Sequence, residues 1–143
     1  MPTPDHSPVL VGIGTASRRK ENFEDALEPI DLMLEAVANA GRDSGSQAVL
    51  SGAQFIAVPR GRWSYRNPAG EVAAAIGANG AITALASVGV LQQTLIGQAC
   101  ERIANGEIHT ALVTGADAGY RLLRARIAGR EASERDQDTA PDI

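Results

Sequence analysis

Residues Ala81–Gly119, AITALASVGVLQQTLIGQACERIANGEIHTALVTGADAG, decide how the chain is read. The stretch divides into a buried strand, a small-residue turn at Ser87-Val88-Gly89, a helix from about Leu91 to Asn105, and a second buried strand ending at Gly115. On the helix, Leu91, Gln92, Leu95, Ile96, Ala99 and Ile103 fall on one side, and Gly106 is placed as its C-terminal cap. A turn between the end of a strand and the start of a helix is where α/β proteins hold ligands and nucleophiles, because free N–H groups and the helix dipole converge there. Cys100 falls on the flank of the apolar stripe, one turn after Ile96. It reads as a buried structural thiol, since burial in mid-helix does not activate a nucleophile.

Upstream, Pro8–Gly14 (PVLVGIG) is a short apolar run rich in β-branched residues and reads as a strand buried on both faces. Gly12-Ile13-Gly14 followed by Ser17 superficially matches a dinucleotide-binding loop, but the polar segment TASRRKENFED postpones the first helix to about Pro29. That fingerprint needs its helix to open at the glycines, so the favoured reading is a strand end requiring positive φ. Pro29 stands at the first turn of a helix carrying Ile30, Met33, Val37 and Ala40 at helical spacing, with Gly41 as a stop. A helical turn over Gln47–Leu50 and a buried strand over Gln54–Val58 follow. Asn67-Pro68 opens another helix, rich in alanine, that runs to Ile76 and is stopped by Gly77 and Gly80.

The connection Pro59–Pro68 (PRGRWSYRNP) holds Trp63, Tyr65, Arg60, Arg62 and Arg66. Such a loop could grip a phosphate or the adenine of a carrier such as coenzyme A by guanidinium pairing and stacking. The favoured reading is that Trp63 and Tyr65 cover the end of the sheet while the arginines are solvated. Beyond Gly119, Leu122, Leu123 and Ile127 could anchor a short helix, and the polar residues from Glu131 onward read as a mobile, solvated tail. The order β-α-β-α-β-α-β predicts a layered α/β fold with a mostly parallel sheet, divided into a flexible N-terminus (1–7), a core domain (8–119) and a polar C-terminal tail (120–143).

Bulk composition removes several classes. The 143 residues carry a net charge of −4, which offers no basic face for nucleic acid. Aromatic residues make up only 3%, so the core must be built from Ala, Val, Ile and Leu. Lys20, the one lysine, sits in a polar loop and is a poor Schiff-base candidate. A single cysteine excludes an internal disulfide or a cysteine metal cluster within one chain, and no metal site or permanently bound cofactor is expected. There is no apolar leader and no run approaching the roughly 18 residues of a membrane span, so a soluble, cytoplasmic protein is expected.

Four strings carry a resemblance: PVLVGIG, EPIDLMLEAVANAG, WSYRNPAGEVAAAIGA and ASVGVLQQTLIGQACERIANGE-x-x-TALVTGADA. Across Pro8–Ala118 the chain resembles the N-terminal half of the thiolase-like superfamily, in particular its acetyl-CoA acetyltransferase and sterol-carrier-protein thiolase branch. The resemblance implies one of two similar halves that together bind an acyl-CoA. It also implies a cysteine nucleophile at the start of the third helix, activated by the helix dipole and a histidine from the second half. Counted back from Gly106-Glu107, that nucleophile position falls on Gly89 or an immediate neighbour in Ser87–Val90, and no cysteine is there. Cys100 comes roughly three helical turns too late.

The departure leaves three hypotheses. Ser87 could replace the cysteine, although His6 lies in the N-terminal tail and His109 after the helix, and Ser87 reads more naturally as a capping or turn residue. The fold could bind acyl-CoA and perform other chemistry with residues supplied elsewhere, the reading ranked first. Or the chain could be a non-catalytic binding or assembly subunit. Because the sequence stops after the fourth expected strand, an isolated half would expose apolar surface. The expected partners are therefore a second copy of the chain or a chain supplying the second thiolase-like half, unless the sequence is a truncated form.

Overall fold

Glu28 and Asp31 frame the first helix reciprocally: the Glu28 side chain accepts from the Asp31 amide, and the Asp31 carboxylate accepts from the Glu28 amide at 3.2 Å. With Pro29 at its first position, α1 spans Pro29–Asp43 and buries Ile30, Met33 and Val37. The structure, a computed structural model, describes residues 5–143. The first four residues of the expected flexible N-terminus lie outside the described ones. α1 passes through Gly41, which packs against Leu50 and does not stop the helix. The helical turn expected from Gln47 is a short helix, α2, at Gln47–Ser51.

β1, Phe55–Pro59, is buried on both faces along most of its length. Its alternation assigns the two cores. Ile56 and Val58 pack with Ile30, Met33 and Val37 of α1 on one face, and Phe55 and Ala57 share the other with Leu95 and Ala99. α3, Pro68–Ile76, adds Val72 to the first core and starts on a side-chain cap, the Asn67 carbonyl accepting from Gly70 N at 2.8 Å. It leads to β2, Ile82–Ala86, which pairs parallel with β1. α4, Gln92–Ala104, then crosses to the opposite face and returns the chain to β3, Ala111–Val113, parallel on the other side of β1. The sheet order is β2-β1-β3. Parallel neighbours need crossover connections, and α3 and α4 supply them.

Three further local expectations do not hold. Pro8–Gly14 is not a strand: it runs unpaired beside α1, with Val9 70%, Leu10 81% and Ile13 66% exposed. Gly12 and Gly14 have no positive φ either. They are glycines because a Cβ at either position would strike the α1 backbone, at the Ala40 carbonyl and the Ala36 carbonyl respectively. The segment is fastened there by Ile13 N to Asp43 Oδ2 at 2.8 Å and Asn39 Nδ2 to Thr15 O at 2.7 Å. Second, the stripe of α4 is only partly used: Leu95 and Ala99 are buried, whereas Leu91 and Ile96 are exposed. Third, α5, Gly119–Ile127, exists where a short helix was expected, but it buries Arg121 and Ala125 and leaves Leu123 and Ile127 in solvent.

The polar tail is docked, not loose. Glu134 accepts from Ser64 N at 2.8 Å, Gln137 accepts from Asn67 N at 2.7 Å, and Arg135 reaches Asp31 at 2.5 Å and Glu71 at 2.7 Å. At its end Ile143 N donates to Thr83 O at 3.1 Å while Leu85 N donates to Ile143 O at 2.9 Å. That pattern is one parallel bridge opposite Ala84, so the tail extends the sheet along the outer edge of β2.

Candidate functional site

The C-terminal ends of the three strands gather the segments that matter: Arg60-Gly61 after β1, Ser87–Val90 after β2 and Thr114–Asp117 after β3. Ser87–Val90 is a tight turn closed by Val90 N to Ser87 O at 3.2 Å. Gly89 takes φ +92 at its third position, the conformation that favours glycine in a turn of this kind. Apart from its two chain neighbours, no described residue lies within 4 Å of where a Gly89 Cβ would stand. The position implied for a nucleophile therefore carries no side chain and stands open in an exposed turn. Ser87 is a turn residue, exposed, and not a cap: Leu91 occupies the N-cap of α4 and no side chain accepts from that helix's first amides.

Neither histidine can serve this turn. His109 precedes β3 and its amide donates to Gln54 Oε1 at 2.7 Å, at the N-terminal end of the strands. Five residues of parallel strand, about 13 Å from first to last, separate the two ends of the sheet. His6 lies beside Gly106, its Nε2 3.7 Å from where a Cβ there would stand, and so at the far end of α4. A helix of 13 residues is about 20 Å long. Cys100 is half-buried on the α4 flank, about 12 Å along the helix from Gln92, and does not reach the turn.

The Arg/aromatic loop takes the structural role that the sequence favoured. Trp63 and Tyr65 are buried with their rings 5.2 Å apart, and Trp63 Nε1 donates to Ala116 O at 3.0 Å. Tyr65 donates to Glu28 at 2.8 Å, and burial, reinforced by that carboxylate, pushes its phenol well above the usual value. Arg62 pairs with Asp117 at 2.8 Å. Arg60 lies 6.0 Å from the Trp63 ring and, with Arg66, has no carboxylate partner among the described residues. Lys20 is exposed in its loop. Among the described residues no cluster of three or more His, Cys, Asp or Glu side chains could hold a metal, and no helix is long and apolar enough to cross a membrane.

What the sequence did not reveal is a cleft of about 850 Å³ along the free side of β3. One wall is Pro8–Gly14 with Ala36 and Ala40 of α1; the other is β3 with Ile96, Ala99 and Cys100 of α4. Arg60 and Asp117, both exposed and beyond the C-terminal strand ends, also line it. The volume is in the range of small-molecule sites. Its only signal in the sequence was an apolar run, PVLVGIG, that reads as a strand and has no strand beside it.

A parallel sheet between helices, with a turn and a cleft near the C-terminal strand ends, defines a layered α/β unit. Compared with solved structures, the chain is similar to the crystal structure of a monomeric SCP2-thiolase-like protein type 1 from Mycobacterium smegmatis. The two share 28% identity with a TM-score of 0.62, over 76% of this chain and 23% of that one. The chain is thus related to the thiolase-like superfamily, and its α/β architecture is that of a half thiolase-like fold. It spans less than a quarter of the length of the structure it matches. No family model matches the chain, and no curated protein does.

Proposed function

We propose that this chain is the acyl-CoA-binding portion of a thiolase-like assembly and that it forms no covalent acyl intermediate itself. Any chemistry is completed by groups from a second thiolase-like half or a partner chain. The observation that carries this reading is the Ser87–Val90 turn: Gly89 stands open where a nucleophile is implied, and both histidines lie at the other end of the sheet. Binding without covalent catalysis is what such a turn can offer, since the start of α4 has backbone donors and no base. Arg60 and Arg66 supply cationic side chains near the same end for the phosphates of the carrier.

Calorimetry with acetyl-CoA tests the proposal. The expected result is binding that weakens about tenfold in Arg60→Ala, with no release of free CoA by the wild-type chain. Release of CoA that Ser87→Ala abolishes would overturn it in favour of a serine nucleophile. An assembly role without CoA is the second reading, favoured by Val88 and Leu91, apolar residues that stand 79% and 66% exposed in the turn and at the start of α4. Absence of CoA binding would select it.

A further inference from the structure

The cleft is bordered by two extended stretches of backbone. On one side runs Pro8–Gly14; on the other is β3, the edge strand of the sheet. Thr114 N donates to Ala57 O at 3.1 Å, and because backbone groups alternate along a strand, the N–H and C=O of Ala111 and Val113 turn away from β1 and into the cleft. An edge strand facing a void presents unpaired polar groups, which are costly to bury unless something pairs with them.

The geometry points to an inserted β-strand as the occupant: an uncharged, extended segment of about five residues from a different polypeptide, apolar on both faces and hydrogen-bonded to β3. Its size fits. A five-residue strand occupies about 17 Å by 4.8 Å by 10 Å, on the order of 800 Å³, against the cleft's 850 Å³. Its side chains alternate between Ala36 and Ala40 of α1 on one face and Ile96, Ala99 and Cys100 of α4 on the other, where small residues leave room for large ones. Among the described residues the charged side chains lining the cleft are Arg60 and Asp117, both exposed beyond the C-terminal strand ends, and Asp117 is already paired with Arg62, so the cleft alongside β3 has none to meet a charged occupant. A small apolar molecule would fill the volume but leave Ala111 and Val113 unpaired. A second copy offers only Pro8–Gly14 as an exposed extended apolar segment among the described residues, and its glycines hold that segment on its own α1. Strand addition by another chain satisfies both the backbone and the walls.

Cys100, the one thiol, lines the cleft and reports on it. The probe is the peptide K-V-T-V-I-V-K at up to millimolar concentration, and the reading is the rate at which a maleimide labels Cys100. Val113→Pro removes one outward N–H at an edge position where proline is tolerated, so the fold is kept while the pairing is lost. Ile96→Arg places a charge inside the cleft as a second, independent block. The expected result is at least tenfold slower labelling of the wild-type chain with peptide, and little or no slowing in either variant. No slowing in the wild type overturns the inference, and so does slowing that persists in both variants. Labelling that slows with the concentration of the chain alone assigns the cleft to a second copy and overturns it as well.

Discussion

Asn67 joins two parts of the molecule from a buried position. Its carbonyl caps α3 through Gly70 N, and its amide donates to Ala140 O at 3.0 Å in the tail. Asn67→Ala should lower stability by about 2 kcal/mol, a lost cap plus an unpaired buried acceptor, while Asn67→Asp should keep the cap and lose only the tail contact. Chemical denaturation of the two variants distinguishes the contributions. Glycines separate in the same way. Gly89→Ala meets no atom and carries only the strain of its φ, about 1 kcal/mol. Gly14→Ala drives a methyl into the Ala36 carbonyl and should lift Pro8–Gly14 off α1 at greater cost. Amide exchange at Ile13, whose N–H is held by Asp43, should rise in Gly14→Ala and stay unchanged in Gly89→Ala. Asp142 sets a pH dependence. The Thr83 amide, then its hydroxyl, hold the Asp142 carboxyl below its ordinary 3.8. A depressed folded value stabilises the docked tail above the ordinary carboxylate range and is lost as pH falls through the lowered value. Protection of the Leu85 amide, which pairs with Ile143, should therefore persist to mildly acid pH and collapse below it, and Asp142→Asn should flatten that profile.

At the scale of elements, Arg135 fastens the tail to two helices at once through Asp31 at the start of α1 and Glu71 in α3. Its side chain is 40% exposed, so the network contributes about 1 kcal/mol after solvent screening. Arg135→Met should loosen the tail, visible as faster proteolysis after Arg130, and high salt should loosen the wild type in the same direction. The helices and paired strands were legible in the sequence because their signals are local. Pro29 and Pro68 mark starts, Gly77 and Gly106 mark ends, and the run before Pro59 is too apolar to be anything but a buried strand. The tail was not legible, because polar residues such as Glu134 and Gln137 look the same whether they bind water or the amides of Ser64 and Asn67. Pro8–Gly14 misled for a related reason: its composition is that of a strand, but strand character is completed by a neighbour, and the described residues place a cleft there. The candidate turn was legible down to Gly89 itself. The position of both histidines at the other end of the sheet was not, since it follows from strand direction and not from spacing.

At the scale of the molecule, the cores on the two faces of the sheet differ in weight. The face under α1 and α3 holds Ile30, Met33, Val37, Val58 and Val72 with Trp63 and Tyr65, whereas α4 contributes only Leu95 and Ala99 as buried residues to the other. Val58→Ala should therefore cost about 2 to 4 kcal/mol, while Ile96→Ala, half exposed on α4, should cost well under 1 kcal/mol in the chain alone. The bridge between Ile143 and β2 has a consequence for how copies of this protein can aggregate. Edge-to-edge polymers need two free edges on every subunit, one to accept the growing end and one to extend it. Here one edge is blocked from within the chain and the other is open, so each molecule is a terminator: whatever strand is added to β3, no subunit can add at the opposite edge. Removing the residues after Arg130 would free the β2 edge and convert the terminator into a propagating unit, and light scattering at matched concentration should then grow steadily where that of the full chain stays flat.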